Sequence, residues 1–138
     1  MRRAVIVAVH AFGSWWTVEH PDRGVCLPGG KVDRGESVSA AASRELFEET
    51  GIEVQPYLLD PFATGIVPGE VDYQVTAFLS KVSPVPYGTG EDRLWPGLRD
   101  LAELRAAPWA MQHDFHRAVY DRLEVEQARR GFQHRIFA

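Results

Sequence analysis

The chain has 138 residues, 45% hydrophobic and 25% charged, which is enough for one filled core and too few for two ordinary domains. A single domain over residues 1–138 is therefore expected. The formal charge of −4 argues against nucleic acid or an anionic membrane as a partner, so an anionic ligand would need local compensation. No apolar run approaches the ~18 residues of a spanning helix, and a cytoplasmic location without membrane contact is the expectation.

Val5, Ile6, Val7 and Val9 are β-branched and predict a first strand. The preceding Met1-Arg2-Arg3 gives this start a superficial likeness to a signal peptide, but His10 interrupts a short apolar run. Phe12-Gly13-Ser14 is a turn before Trp15-Trp16-Thr17-Val18, so a hairpin is predicted, and Pro21-Asp22-Arg23-Gly24 makes the next turn. The lone Cys26 allows no internal disulfide and reads as a small buried side chain. Leu27-Pro28-Gly29-Gly30 reads as backbone punctuation rather than an element, with another bend at Gly35.

Residues 37–50 are predicted to be helical, with Ser37 as N-cap, Ala40, Ala41 and Ala42 favouring helix, and Gly51 as a left-handed C-terminal cap. Strands are predicted over 57–67 and 71–82, separated by Pro68-Gly69-Glu70. Residues 83–90 read as a loop, 92–95 as a short strand, 98–105 as a short helix and 113–130 as a longer one. In that last helix Phe115, Ala118, Val119, Arg122, Leu123 and Glu126 are expected to share a face. The tail, 131–138, carries Phe132, Ile136 and Phe137, and these apolar residues permit a homodimer contact.

The chemistry concentrates on the 37–50 helix. Positions three and four apart share a face, so Glu45, Glu48 and Glu49 project to one side. Three like charges there call for a cation, and hard oxygen ligands suit Mg²⁺, with Mn²⁺ able to substitute. A divalent ion at such a site screens a diphosphate, orients a water and stabilises the leaving phosphate, while a neighbouring carboxylate accepts the proton. Arg44 is placed to pair with Glu45 and hold the carboxylates, and Glu36 to brace the loop to the helix.

Gly30, five residues, Glu36, seven residues and then Arg44-Glu45-Leu46-Phe47-Glu48-Glu49-Thr50-Gly51-Ile52 resembles the complete Nudix box. Seven fixed positions and two apolar ones match by chance on the order of 10⁻⁷ or less at average composition. The resemblance implies an α+β fold, a mixed sheet sandwiched between helices, with the box as a loop-helix-loop. It implies metal binding by Glu45, Glu48 and Glu49, with the Gly29 carbonyl as a further ligand, orientation of Glu45 by Arg44, and a supporting or metal-binding part for Glu36. The family's base lies in the box, here Glu45, or on a later loop, for which Glu91 is the candidate and Asp92 and Glu70 compete.

The implied activity is cleavage of a diphosphate linkage in a nucleoside diphosphate derivative, a small-molecule nucleotide. The short chain resembles MutT-like nucleoside triphosphate pyrophosphohydrolases, which ranks that substrate first. Pro68, sixteen residues beyond Ile52, is a feature linked to ADP-ribose cleavage, and turn chemistry alone also explains it. ADP-ribose or a nucleotide sugar therefore ranks second. A non-catalytic nucleotide-sensing module ranks lower because no box carboxylate is lost, and an RNA hydrolase is disfavoured by the acidic charge. An isomerase on the same fold is a further low-ranked reading.

Substrate contacts are expected from Lys31, Pro68, Gln112 and Asp114, the last two within the 107–114 segment before the final helix. Trp16 and Trp95 are the tryptophans expected to stack on a base, with Trp15 and Trp109 expected in the core. The five histidines show no zinc-ligand spacing, and His113 and His116 read as ordinary surface or helix residues.

Overall fold

The computed structural model describes residues 1–84 and 96–137, with side chains through 131. Strands Arg2–Ala8 (β1), His10–Ala11 (β2), Ser14–His20 (β3), Gly24–Cys26 (β4) and Gly29–Lys31 (β5) precede the helix Val38–Thr50 (α1). A 3₁₀ turn, Pro56–Leu58, leads into Leu59–Val67 (β6) and Tyr73–Ser80 (β7). Gly97–Arg99 (β8) then precedes three helices, Leu101–Arg105 (α2), Pro108–Met111 (α3) and Asp114–Phe137 (α4).

The larger sheet has the order β5-β1-β7-β6, and β1 runs parallel to β7 while the other pairs are antiparallel. In the second sheet β3 pairs antiparallel with β2, β4 and β8. Period-two alternation along β1 sends Val5 and Val7 to one side, where they pack with Ala41, Ala42 and Leu46 of α1. Ala4, Ile6 and Ala8 face the other side, packing with Leu104, Phe115, Val119, Tyr120 and Leu123 of the C-terminal helices. The result is the expected mixed sheet between helical layers. The two tryptophans of β3 divide the same way, Trp15 to the α4 side and Trp16 to the α1 side.

The predicted α1 is observed with its caps: Ser37 Oγ accepts from the Ala40 N–H, and Gly51 takes the left-handed conformation at φ 76°. Phe12 and Gly13, both at positive φ, form the predicted hairpin turn between β2 and β3. No helix among the described residues is long and apolar enough to cross a membrane.

Several expectations are corrected. Residues 29–31 are a strand paired to β1 rather than punctuation. Pro56 starts a 3₁₀ turn, so β6 begins at Leu59 rather than Tyr57, and β7 is trimmed to Tyr73–Ser80. Pro61 sits in β6 beside a register shift, a position allowed because β6 is an edge strand. Leu98 and Arg99 pair with Trp16 and Trp15 in β8, and helix α2 starts only after Asp100, whose capping box with Glu103 fixes the boundary.

The final helix begins at Asp114 and continues to Phe137, beyond the predicted end at 130. Its inner face is Phe115, His116, Val119, Tyr120 and Leu123, whereas Ala118 and Arg122 are exposed. His113 and His116, read as ordinary surface or helix residues, are buried, His116 within α4 and His113 just before it. The expectations on the 92–95 strand lie outside the described residues, as does most of the 83–90 loop.

Candidate active site

The site is built where α1 crosses the β1–β5 edge of the sheet. Residues 29 and 30 must be glycine because two backbones and a carboxylate converge there. A Cβ at Gly29 would overlap the Val5 carbonyl oxygen, and one at Gly30 would stand 2.5 Å from Glu45 Oε1. The chain thus lays bare backbone against the Glu45 carboxylate. Next to it, the Gly29 N–H donates to Glu49 Oε1 at 2.6 Å, which ties the last turn of α1 to β5.

Arg44 is the hub of the acidic cluster. Its guanidinium grips Glu36 with a two-pronged pair of bonds, Nε to Oε2 at 2.8 Å and Nη2 to Oε1 at 2.9 Å. Nη1 donates to Glu45 Oε1 at 2.9 Å and to Glu48 Oε2 at 3.2 Å, and Nη2 donates to the Lys31 carbonyl at 3.0 Å. Glu36 closes the loop by accepting the Asp33 N–H at 3.0 Å. The hydrogen bonds from Arg44 hold the Glu36 carboxyl below its ordinary pKa, and the same bonds raise the Arg44 guanidinium. The fork-shaped partner of Arg44 is Glu36, and Glu45 takes a single bond.

These elements border a cleft of about 1320 Å³, ample for a nucleotide-sized ligand. Glu45, Glu49, Gly29, Gly30 and Lys31 line it, together with Pro68 and Glu70 of the β6–β7 turn. Arg23, Cys26, Trp109 and His116 contribute further wall. Lys31 and Arg23 supply positive charge that an acidic chain otherwise lacks for an anionic ligand. Lys31 Nζ stands 5.9 Å from the Tyr73 ring, and hydrogen bonds from Arg2 and then Lys31 hold the Tyr73 hydroxyl below its usual pKa. Burial pushes the Cys26 thiol up to about 12, with Glu49 adding to the effect, so Cys26 is a packed wall residue.

The structure brings Glu36, Arg44, Glu45, Glu48, Glu49 and Gly29 together, and Lys31 and Pro68 join them on the cleft. Glu48 engages Arg44 but is not part of the cleft lining. Trp16 does not line the cleft; strand alternation packs it into the cluster beneath α1. Gln112 and Asp114 are exposed and outside it, since the first turn of α4 buries Phe115 and His116 and leaves Asp114 to pair with Arg117. Glu91, Asp92 and Trp95 lie outside the described residues.

Sequence reasoning missed Arg23, Trp109 and His116. The signals available were the spacing of His113, His116 and Tyr120 at one-turn intervals, which puts them on one helix face. Among the described residues no three His, Cys, Asp or Glu side chains stand close enough together to hold a metal ion. The physical cause is visible in the bonds above: Arg44 draws Glu45 and Glu48, while Glu49 turns to the Gly29 N–H.

A family model described as the NUDIX domain matches residues 1–123. Over 43 residues the chain is 51% identical to Bacillus subtilis YtkD, provisionally named an 8-oxo-dGTP diphosphatase, covering 31% of this chain and 27% of that protein. Over 55 residues it is 44% identical to phosphatase NudJ of Escherichia coli K12, covering 38% of this chain and 36% of that one. The chain thus aligns with only about a quarter to a third of the length of these curated relatives. The crystal structure of a MutT NUDIX hydrolase from Burkholderia pseudomallei is similar at TM-score 0.62 and 25% identity, over 73% of this chain and 84% of that one. The match over residues 1–123 takes in both the helix that carries the carboxylates and the sheet beneath it, and the chain therefore belongs to the NUDIX domain family.

Proposed function

We propose that this chain hydrolyses the diphosphate linkage of a nucleoside diphosphate derivative, with nucleoside triphosphates as the favoured substrate class. The observation that carries the reading is the cleft itself. Glu45, Glu49 and Lys31 line one ligand-sized depression, backed by an Arg44 hub that fixes Glu45 and Glu48. The partial alignments to proteins named as an 8-oxo-dGTP diphosphatase and a phosphatase, and the likeness to a MutT hydrolase, favour the same class.

A divalent Mg²⁺, or Mn²⁺ in its place, fits the donor set. Glu45, Glu48 and Glu49 with the Gly29 carbonyl offer only hard oxygens, and the Glu45 carboxylate lies directly against the bare backbone of Gly30. When bound, such a cation would supply charge to screen the diphosphate and to activate the attacking water. The remaining work belongs to the chain. Arg44 restrains Glu45 and Glu48, and Glu36 in turn restrains Arg44. Lys31 is the cation on the cleft wall suited to a non-reacting phosphate oxygen.

Glu45 is the box carboxylate suited to accept the proton of the attacking water, with Glu91 as the later-loop alternative. Pro68 on the cleft wall favours a second reading, cleavage of ADP-ribose or a nucleotide sugar. Nucleotide sensing without cleavage ranks third because every box carboxylate is present.

A panel of nucleoside triphosphates, oxidised guanine nucleotides, nucleotide sugars, dinucleoside polyphosphates and ADP-ribose tests the ranking through kcat/KM. The expected result is highest kcat/KM on a triphosphate, releasing a monophosphate and diphosphate. Highest kcat/KM on ADP-ribose would reverse the order. Binding without turnover across the panel would contradict the enzyme reading in favour of sensing.

A further inference from the structure

One wall of the cleft carries a feature unrelated to the carboxylates. His113, just before α4, and His116, in its first turn, are 8% and 4% exposed. They meet nitrogen to nitrogen, Nδ1 to Nδ1, at 3.1 Å. Trp109 of α3 stands edge-on to both rings, with centroids 4.6 Å from His113 and 5.1 Å from His116. The Arg23 guanidinium lies 4.7 Å from the Trp109 ring centroid. Arg23, Trp109 and His116 all line the cleft.

A hydrogen bond between two imidazole nitrogens requires one donor and one acceptor, so the acceptor ring is neutral; with both rings held below the ordinary histidine pKa the donor is neutral too near pH 7, and the two hold opposite tautomers. Burial, the first cause for both, lowers the His113 pKa and brings His116 down to about 4, with Arg23 acting in the same direction on each. Two arrangements satisfy the bond. If His116 donates from Nδ1, its Nε2 is an acceptor; if His116 accepts at Nδ1, its Nε2 carries the proton.

Exchange between the arrangements conserves protons. Starting with His113 as donor, its Nδ1 proton crosses to His116, His116 gives its Nε2 proton to water, and His113 takes a proton from water at its own Nε2. No net charge remains on either ring. The buried pair therefore presents to its surroundings a nitrogen whose polarity is set by the partner that it meets.

We propose that His116 Nε2 is the contact that reads the base of a nucleotide in this cleft, and that His113 is a positioning residue that lets this nitrogen act as donor or acceptor. The site would then take a 6-amino purine, which offers an N–H donor, and a 6-oxo purine, which offers an acceptor. Trp109 and Arg23 supply the adjoining aromatic and guanidinium surface on which a base stacks. This inference rests on the proposed nucleotide reading of the cleft and extends it to base selection.

The direct test is the ¹⁵N spectrum of histidine-labelled protein titrated with AMP and with GMP. The His116 Nε2 resonance is expected to move toward the unprotonated, acceptor position with AMP and toward the protonated, donor position with GMP. Movement in one direction with both, or none at saturation with either, overturns the proposal. Kinetics on ATP and GTP give the second arm. His116→Phe is expected to raise KM about tenfold for both purines, a loss of one neutral hydrogen bond. His113→Phe is expected to do the same, and His113→Gln, whose amide can donate or accept, to restore most of it.

Unchanged KM in folded His116→Phe would refute the base contact, and failure of His113→Gln to rescue would refute the positioning role. If the wild-type protein neither binds nor cleaves any nucleotide, the proposed function and this inference fall together. If it cleaves them while the His116 nitrogen stays silent, only the inference falls.

Discussion

Replacing Arg44 by alanine removes the hub and should expose how strongly the cluster depends on it. The guanidinium satisfies carboxylates whose side chains are 17% (Glu36), 13% (Glu45) and 31% (Glu48) exposed. Breaking a fully buried pair costs about 3–5 kcal/mol, and an exposed pair is worth about 0–1 kcal/mol. Partial burial and the loss of five hydrogen bonds place Arg44→Ala near the lower edge of the buried case, about 3 kcal/mol. For a chain of this size that corresponds to roughly 12 °C in Tm, read by calorimetry. The sign with pH follows from Glu36, whose folded pKa the Arg44 hydrogen bonds hold below the ordinary glutamate value. Its contribution is present above that value and is lost as pH falls through the folded pKa. The gap between wild type and Arg44→Ala should therefore narrow as pH drops below the ordinary glutamate range. A Tm within ~2 °C of wild type at neutral pH would refute the hub argument.

His116 becomes charged on protonation where Glu36 becomes neutral, but the pH direction is the same. A histidine whose folded pKa is lowered from 6.5 to about 4 loses stability as pH falls from the first value to the second. Denaturant unfolding at pH 7 and pH 4.5 should show a loss of roughly 2 kcal/mol, much reduced in His116→Phe; an undiminished loss in that variant would locate the effect elsewhere. The groups around the ring are His113, Trp109, Phe115, Tyr120 and Arg23, and none is an acid that would favour the charged form. Gly29→Ala and Gly30→Ala should differ in kind. The first meets the Val5 backbone and should lower Tm markedly, whereas the second meets the Glu45 carboxylate and should lower turnover more than stability, as paired melting and rate assays would show.

The box and its helix were legible because their signals are local. Ser37 and Gly51 delimit α1 by capping, and the Arg44 and glutamate spacing follows the helical period. Gly29–Lys31 was not legible as a strand, because two glycines lack the side chains by which strands are recognised; the approach of the Val5 backbone explains Gly29 and that of the Glu45 carboxylate explains Gly30. The Asp100 to Glu103 capping box was a readable start signal for α2, and overlooking it drew Leu98 and Arg99 into a helix.

The composition of the cleft wall was harder to foresee. Trp16 and Trp109 are alike in sequence terms, and only the side to which β3 turns Trp16 and the corner where α3 meets α4 separate them. His113 and His116 read as ordinary surface or helix residues because neither has a metal-ligand spacing. Their burial depends on each other and on Trp109, contacts that hydropathy does not register. Among the acidic residues, spacing placed Glu45, Glu48 and Glu49 on one face, but the different partners they take, Arg44 and the Gly29 N–H, follow from tertiary contacts.

The proposed chemistry is tested most directly by turnover of a nucleoside triphosphate by wild type and Glu48→Gln, each with Mg²⁺ and with excess chelator. The account predicts diphosphate release by the wild type only with the cation, and a fall in kcat of about 10²–10³ in Glu48→Gln with its fold intact. Full turnover in chelator, or near-normal turnover by Glu48→Gln, would contradict it.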